Sequence, residues 1–331
     1  MLSDTYKNPL WFRVYYKLAM ITLLKRKRAF PTPPELDPHV VCFRNMLESI
    51  SSEIIAENAS EKEWRGIAAE LRKLALTTDP RHFLRWRVLQ KSMAVAYAQF
   101  VSIEYAELRN RCDWNSRWKD LVVEDDVGDP VPFIEDRKSS ANLLHHAFVA
   151  AKFEDFLGHR LSDFNSVFEF GGGYGSFCRL MRRLGAKGHY NIFDLQEMSS
   201  LQTFYLSSLG FPVEYGTLGS PTKDSVHCFY DPSLLASVKT ASSSNLFIAL
   251  WSLSESPLSL REKVIHLVND SDAFLIGYQD RFGEVDNTIF FNKLKNLRSD
   301  VIWLDIPLSY LPAHHLLFGK RPKPTRETSV A

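Results

Sequence analysis

Val167-Phe168-Glu169-Phe170-Gly171-Gly172-Gly173-Tyr174-Gly175-Ser176 is a short apolar run that ends in an acid and breaks into a glycine loop; apolar and aromatic residues resume at Phe177. This reads as a strand, a tight turn and the start of a helix. Glycines at such a turn let the backbone take positive φ and let a ligand approach bare peptide groups.

Working outward, the chain beyond Ser166 alternates strands and helices. Strands are predicted at Ser166–Phe170, Tyr190–Phe193, Val213–Tyr215, Leu246–Trp251, Ala273–Tyr278, Val301–Ile306 and His315–Gly319, with helical segments between them. Alternation of this kind implies a seven-stranded, doubly wound, mainly parallel α/β sheet with helices on both faces. Upstream, residues 40–110 read as helical. Phe43, Met46, Leu47, Ile50 and Ile54 recur on one helix face, Ser60 and Glu63 form a capping-box pattern, and a long helix is predicted over His82–Leu108. Pro31–Pro38 and the acidic Glu124–Pro132 stretch read as connections, and Ser140–Leu157 as a helix. The expected organisation is a helical N-terminal region over 1–129, a catalytic domain over 130–320 and a disordered tail over 321–331.

Bulk properties narrow the class. A net charge of +1 over 331 residues argues against a nucleic-acid binder. Four dispersed cysteines without metal-type spacing suggest reduced thiols and a cytoplasmic setting. Pro9–Leu24 is too short and too charged to span a bilayer and reads as an amphipathic helix; with Lys25–Arg28 beside it, peripheral contact with anionic lipid at the inner membrane face is the alternative.

Three ligands compete for the loop. A dinucleotide pattern is only approximated, because Ser176 stands where a third glycine belongs. A P-loop needs a lysine after its last glycine, and none follows Gly175. Glu169-x-Gly171-Gly172-Gly173-x-Gly175 matches an S-adenosylmethionine loop, where a carboxylate suits a cationic ligand better than a pyrophosphate. Asp194, about twenty residues on and ending the second strand, is placed to hold ribose hydroxyls in either the dinucleotide or the adenosylmethionine reading.

Glu169-Phe-Gly-Gly-Gly-Tyr-Gly, Phe193-Asp-Leu, Trp251-Ser-Leu-Ser-Glu-Ser-Pro and His315-Leu-Leu-Phe-Gly-Lys-Arg together resemble the sugar O-methyltransferases of bacterial surface-polysaccharide gene clusters. The resemblance covers roughly residues 130–320. It implies a Rossmann-like class I methyltransferase using S-adenosyl-L-methionine on the hydroxyl of a sugar or glycan, with nucleotide- and lipid-linked forms both among the expected acceptors. A small-molecule hydroxyl acceptor and a non-catalytic adenosylmethionine-binding partner are the rival readings.

On the cofactor side the expected residues are Glu169, Gly171, Gly172, Gly173, Tyr174, Gly175, Asp194, Leu195, Gln196 and Trp251, with adenine contacts near Tyr215–Leu218. Methyl transfer to a hydroxyl needs a positioned base. Glu255, after the fourth predicted strand, comes first; it also reads as a solvated acid at a helix start. His145 and His146 come second, one expected to face inward and the other solvent. His314 and His315 rank lower, because they are expected at the sheet end opposite the site. Ser254, Tyr278, Gln279, Asp280 and Arg281 are expected to bind substrate. No metal is predicted, since Glu255 and Asp280 lack a third ligand. The N-terminal helices are expected to form a lid, a homodimer surface or a membrane-side platform.

Overall fold

The computed structural model describes residue 22 and residues 27–51, 59–93, 100–218, 224–238 and 244–322. The helix read at Pro9–Leu24 and the tail beyond residue 322 lie outside these. The strands, in chain order, are β1 (Ser166–Phe170), β2 (His189–Phe193), β3 (Val213–Tyr215), β4 (Val226–Phe229), β5 (Asn245–Leu250), β6 (Ala273–Gln279), β7 (Arg281–Phe282), β8 (Val285–Asp286), β9 (Ile302–Pro307) and β10 (His314–Lys320). Eight of them form one sheet in the order β3-β4-β2-β1-β5-β6-β10-β9; β7 and β8 make a separate hairpin. The neighbours from β3 to β6 are all parallel, while β10 runs against both β6 and β9.

The principal helices are α1 (Pro38–Glu48), α2 (Ala59–Thr77), α3 (Arg87–Ser92), α4 (Val101–Arg109), α5 (Ala141–Leu157), α6 (Ser176–Arg183), α7 (Gln196–Ser208), α8 (Ser252–Glu255), α9 (Leu258–Asn269) and α10 (Asn287–Leu297). Alternating strand residues feed two cores. Val167, Ile192, Leu246 and Ile248 join α1, α5 and α7 on one face. Phe168, Phe170, Phe247 and Phe274 meet α9 and α10 on the other. A sheet covered on both faces in this way is the doubly wound arrangement.

The N-terminal helices share the first core with the sheet; Phe43 of α1 stacks on Phe204 of α7 at 4.9 Å. The acidic connection is pinned as well. Arg179 of α6, almost fully buried, holds Asp125 and the Leu121 and Val123 carbonyls, and Arg85 and His82 hold Asp129. Asp37 caps α1 and Ser140 caps α5, whose C-terminus ends on Gly158 in the left-handed region.

Two expectations change. The sheet has eight strands, not seven, because Val226–Phe229 inserts between β3 and β2. Its four residues are all buried, so neither length nor alternation marks it as a strand. The long helix over His82–Leu108 is interrupted. A 3-10 turn spans Pro80–Arg85, Trp86 is extended with ψ 132, and α3 restarts at Arg87. Gln90 donates to the Leu84 carbonyl at the break, and the Trp86 side chain is buried there, so packing overrides a sequence free of breakers.

Candidate functional site

The chain switches sides of the sheet between β1 and β5, and the loops following these two strands border a cavity of about 1240 Å³ at the carboxyl ends of the parallel strands. This crevice is where open α/β sheets place ligands, and its volume exceeds the roughly 300–1,000 Å³ typical of one small ligand.

The loop after β1 is built for close approach. Gly171 takes φ +70, its N–H donates to the Phe193 carbonyl at 2.8 Å, and a Cβ there would sit 2.2 Å from that of Ser252. A Cβ on Gly172 would meet Ile192 at 2.6 Å and the Glu169 carboxylate at 3.2 Å. Gly175 at φ +93 is the N-cap of α6 and packs on Leu206; it turns the chain without lining the cavity.

A buried acid, Glu169, and a half-buried one, Asp194, flank the loop. Glu169 accepts from the Tyr190 hydroxyl at 2.8 Å. Asp194 accepts from the Leu195 and Gly173 N–H groups at 2.8 and 3.2 Å and from Gln202 Nε2 at 2.8 Å. Burial pushes both carboxyls up to about 7; Tyr190 partly offsets this for Glu169, and the Leu195, Gly173 and Gln202 donors do so for Asp194. Two such acids at one end of a cavity favour a ligand that brings positive charge and hydroxyl donors.

The facing wall comes from the loop after β5. Trp251 takes φ 65, unusual for a side-chain-bearing residue, held by its N–H to the Gly277 carbonyl at 2.7 Å and by its indole N–H to His314 Nδ1 at 2.8 Å. Its ring lies over Gly277, where a Cβ would come within 3.0 Å. Glu255 ends α8. Gln279 donates to it at 3.2 Å and the Trp64 side chain of α2 also hydrogen-bonds it, while burial pushes its carboxyl up to about 7. Ser254 donates to the Trp251 carbonyl and to Gln279 Oε1, which fixes α8 to β6.

From α5, His145 and His146 both line the cavity. His145 Nδ1 faces both Glu104 oxygens at 2.9 and 3.0 Å, and Tyr310 donates to the same fully buried Glu104 at 2.7 Å. His146 Nδ1 meets Ser176 Oγ at 3.1 Å, and burial together with neighbouring His145 pushes it down to about 3, so it is neutral at pH 7.

The structure therefore brings together on one cavity Glu169, Gly171, Gly172, Gly173, Tyr174, Asp194, Leu195, Gln196, Trp251, Glu255, His145 and His146. Tyr174 is nevertheless a packing residue in large part: it is 3% exposed, edge-on to Phe83 and Tyr205, and accepts from Asn142. Ser254 and Gln279 stand behind Glu255 and do not line the cavity.

Tyr278, Asp280 and Arg281 do not line it either. Tyr278 stacks on His315, and both bond Asp305; Asp280 pairs with His315 Nε2 at 3.0 Å. Arg281 sits in the hairpin opposite Asp286. Residues alternate along β6 and β10, which puts this Asp-His-Asp group on the other face of the sheet from the cavity.

Three expectations are corrected. Neither of the adjacent histidines faces solvent, because the N-terminal helices cover α5. His314 lies at the cavity and not at the opposite end, since β10 is antiparallel and begins where β6 stops, His314 pairing with Gln279. The cavity is bordered by Tyr230 and Pro232 after β4, not by Tyr215–Leu218, because the inserted strand displaces β3 from the side of β2. Sequence reasoning missed Glu104, Gln202, Trp64 and Met93. Only the helical periodicity of α2 offered any signal for these. Among the described residues no helix is long and apolar enough to cross a membrane, and no group of three or more His, Cys, Asp or Glu side chains could hold a metal ion.

No family model matches the chain, and no curated protein matches it. Solved structures do. Magnesium protoporphyrin IX methyltransferase (ChlM) from Synechocystis PCC 6803 with bound SAH is 13% identical, with 66% of this chain and all of that one covered and a TM-score of 0.39. PigF with SAH is 11% identical over 94% of this chain and 98% of that one, TM-score 0.37. The glycopeptide N-methyltransferase MtfA is 13% identical over 52% and 94%, TM-score 0.35. The doubly wound fold itself is read from the strand order given above.

Proposed function

We propose that the chain is an S-adenosylmethionine-dependent O-methyltransferase whose acceptor is a sugar or glycan hydroxyl. One observation carries this reading: Glu169, the glycine loop and Asp194 share a cavity with Glu255 and His145. The loop fits the cofactor, since the bare Cα of Gly172 leaves the approach to Glu169 open and two acids near neutrality await a cationic, hydroxyl-bearing ligand.

When bound, the sulfonium would supply an activated methyl group for an acceptor oxygen. Asp194 would accept from ribose hydroxyls beside its loop donors, and Glu169 would supply negative charge beneath the loop. Trp251, locked by Gly277 and His314, shapes the junction between cofactor and acceptor space. Glu255 takes the hydroxyl proton, and a carboxyl near 7 is well matched to that task at neutral pH. Gln279 and Ser254 hold it in place.

A second base is favoured by one specific arrangement. Glu104 pins His145 Nδ1, which leaves Nε2 of a cavity-lining imidazole for the acceptor proton, and Trp251 packs at 5.3 Å against the ring. Comparing Glu255→Gln with His145→Gln separates the two: the true base loses transfer while S-adenosylhomocysteine binding persists. The cofactor reading is tested by calorimetric titration with S-adenosylhomocysteine. Tight binding to the wild type, lost in Asp194→Ala, is expected; binding of a nicotinamide dinucleotide instead would overturn it.

A further inference from the structure

The cavity is larger than a cofactor needs, and one part of its wall is distinct in charge. The α2 residues facing it recur at intervals of three and four from Glu61 to Leu76, so a whole stripe of the helix points inward, while Leu71 and Ala75 along its edge are buried in the core. That stripe carries Arg65, Arg72 and Lys73; α3 adds Lys91 and α9 adds Lys263, all lining the same space.

The carboxylates of the cavity neutralise these cations only in part. Among the described residues Glu169, Asp194 and Glu197 form no ion pair with them, while Glu61 pairs with Arg65 at 3.0 Å. Lys73 reaches only Glu70, at 3.9 Å. Among the described residues Arg72, Lys91 and Lys263 form no ion pair, and Arg65 Nε is buried without a hydrogen-bond partner. Cations from three separate elements line one concavity, and three of them, Arg72, Lys91 and Lys263, form no ion pair among the described residues; together they concentrate positive potential where low-dielectric walls focus it.

We infer that this wall binds a phosphate-type anion carried by the acceptor, seated on Arg65, Arg72, Lys91 and Lys263. The inference rests on the methyl-transfer reading, which supplies the acceptor. Arginine forks suit phosphate oxygens in particular, and lysines add charge without fixed direction. The shared chemistry is a phosphate or pyrophosphate ester, on either a soluble nucleotide-linked or a lipid-linked acceptor.

The test titrates the full chain with inorganic pyrophosphate and, separately, with vesicles of phosphatidylglycerol in phosphatidylcholine, and measures S-adenosylhomocysteine binding on the same samples. The wild type is expected to bind at least one anionic probe. Arg72→Gln/Lys263→Gln is expected to weaken that binding about tenfold or more, with S-adenosylhomocysteine affinity held within about twofold. Loss of pyrophosphate binding identifies a soluble source, and loss of vesicle binding alone a lipid-linked one; either supports the site. If the wild type binds neither probe, or the double variant binds as the wild type does, the inference is overturned. Should the double variant misfold, Lys91→Gln, on an exposed side chain, decides in the same way. A wild type that binds pyrophosphate through these residues but not S-adenosylhomocysteine would sink the cofactor reading and leave the anion site standing.

Discussion

At the scale of single residues, three carboxyls held near neutrality dominate the cavity: Glu169, Asp194 and Glu255 are each pushed up to about 7, mainly by burial. Their ordinary values lie near 4, so between about 4 and about 7 the folded chain binds more protons than the unfolded one. The stability they contribute is fully present below about pH 4 and is lost as pH rises through about 7. Buried histidines such as His146 act in the opposite sense below about pH 6.5, so the carboxyl contribution is read as a difference: between about pH 5 and about pH 8 the melting temperature of the ligand-free wild type should fall relative to that of Glu169→Gln. A difference that does not change with pH would contradict the assignment. If Glu255 is the base, kcat/KM rises with pH to a plateau above about 7, and Glu255→Gln lowers kcat by roughly 10²–10⁴-fold with cofactor affinity retained. Much of this site was legible beforehand. Glu169 and Asp194 reveal themselves by position, one just before a glycine cluster and one at the end of the next strand. Glu104 and Gln202 were not legible, because each acts through a partner 41 or 8 residues away that only the folded packing brings within reach.

At the scale of elements, the loop after β1 makes the sharpest demand. Gly171→Ala must place a Cβ in the left-handed region and 2.2 Å from that of Ser252. A loss on the order of 3 kcal/mol is expected from strain and overpacking together. Gly210→Ala is the control, since φ is +82 there with nothing within 4 Å of the added carbon, and about 1 kcal/mol should suffice. Urea midpoints of the two variants measure the difference. Ser140→Ala should cost about 1 kcal/mol, because it removes the cap of α5 that accepts from Leu143 at 3.1 Å. Strands with apolar runs bounded by turns could be read directly. β4 could not, having four buried residues and no flanking period. The direction of β10 also escaped, and with it the place of His314, because a strand's orientation is set by connections and pairing and leaves no trace in composition.

At the scale of the whole molecule, one hydrophobic core runs from α1 through α5 and α7 into the sheet, and Arg179 ties the acidic connection to α6 from within. Helices and sheet should therefore unfold together. Tryptophan fluorescence and far-ultraviolet circular dichroism should give coincident thermal transitions, and two separated steps would show independent units. Arg179→Met should lower stability by about 3 kcal/mol, since Glu124 loses the adjacent positive charge, two backbone carbonyls lose their donor, and Asp125 is left with Arg183 for its cation. The reversed strand has one more consequence. β10 begins at His314 beside the cavity and ends at Lys320, opposite Ala273 at the start of β6, where the lysine caps the Phe156 carbonyl at the far end of α5. The polypeptide thus leaves the sheet on the side away from the opening. A sensor surface or affinity resin attached through the residues following Lys320 would hold the protein by its base, with the mouth of the cavity turned toward the liquid.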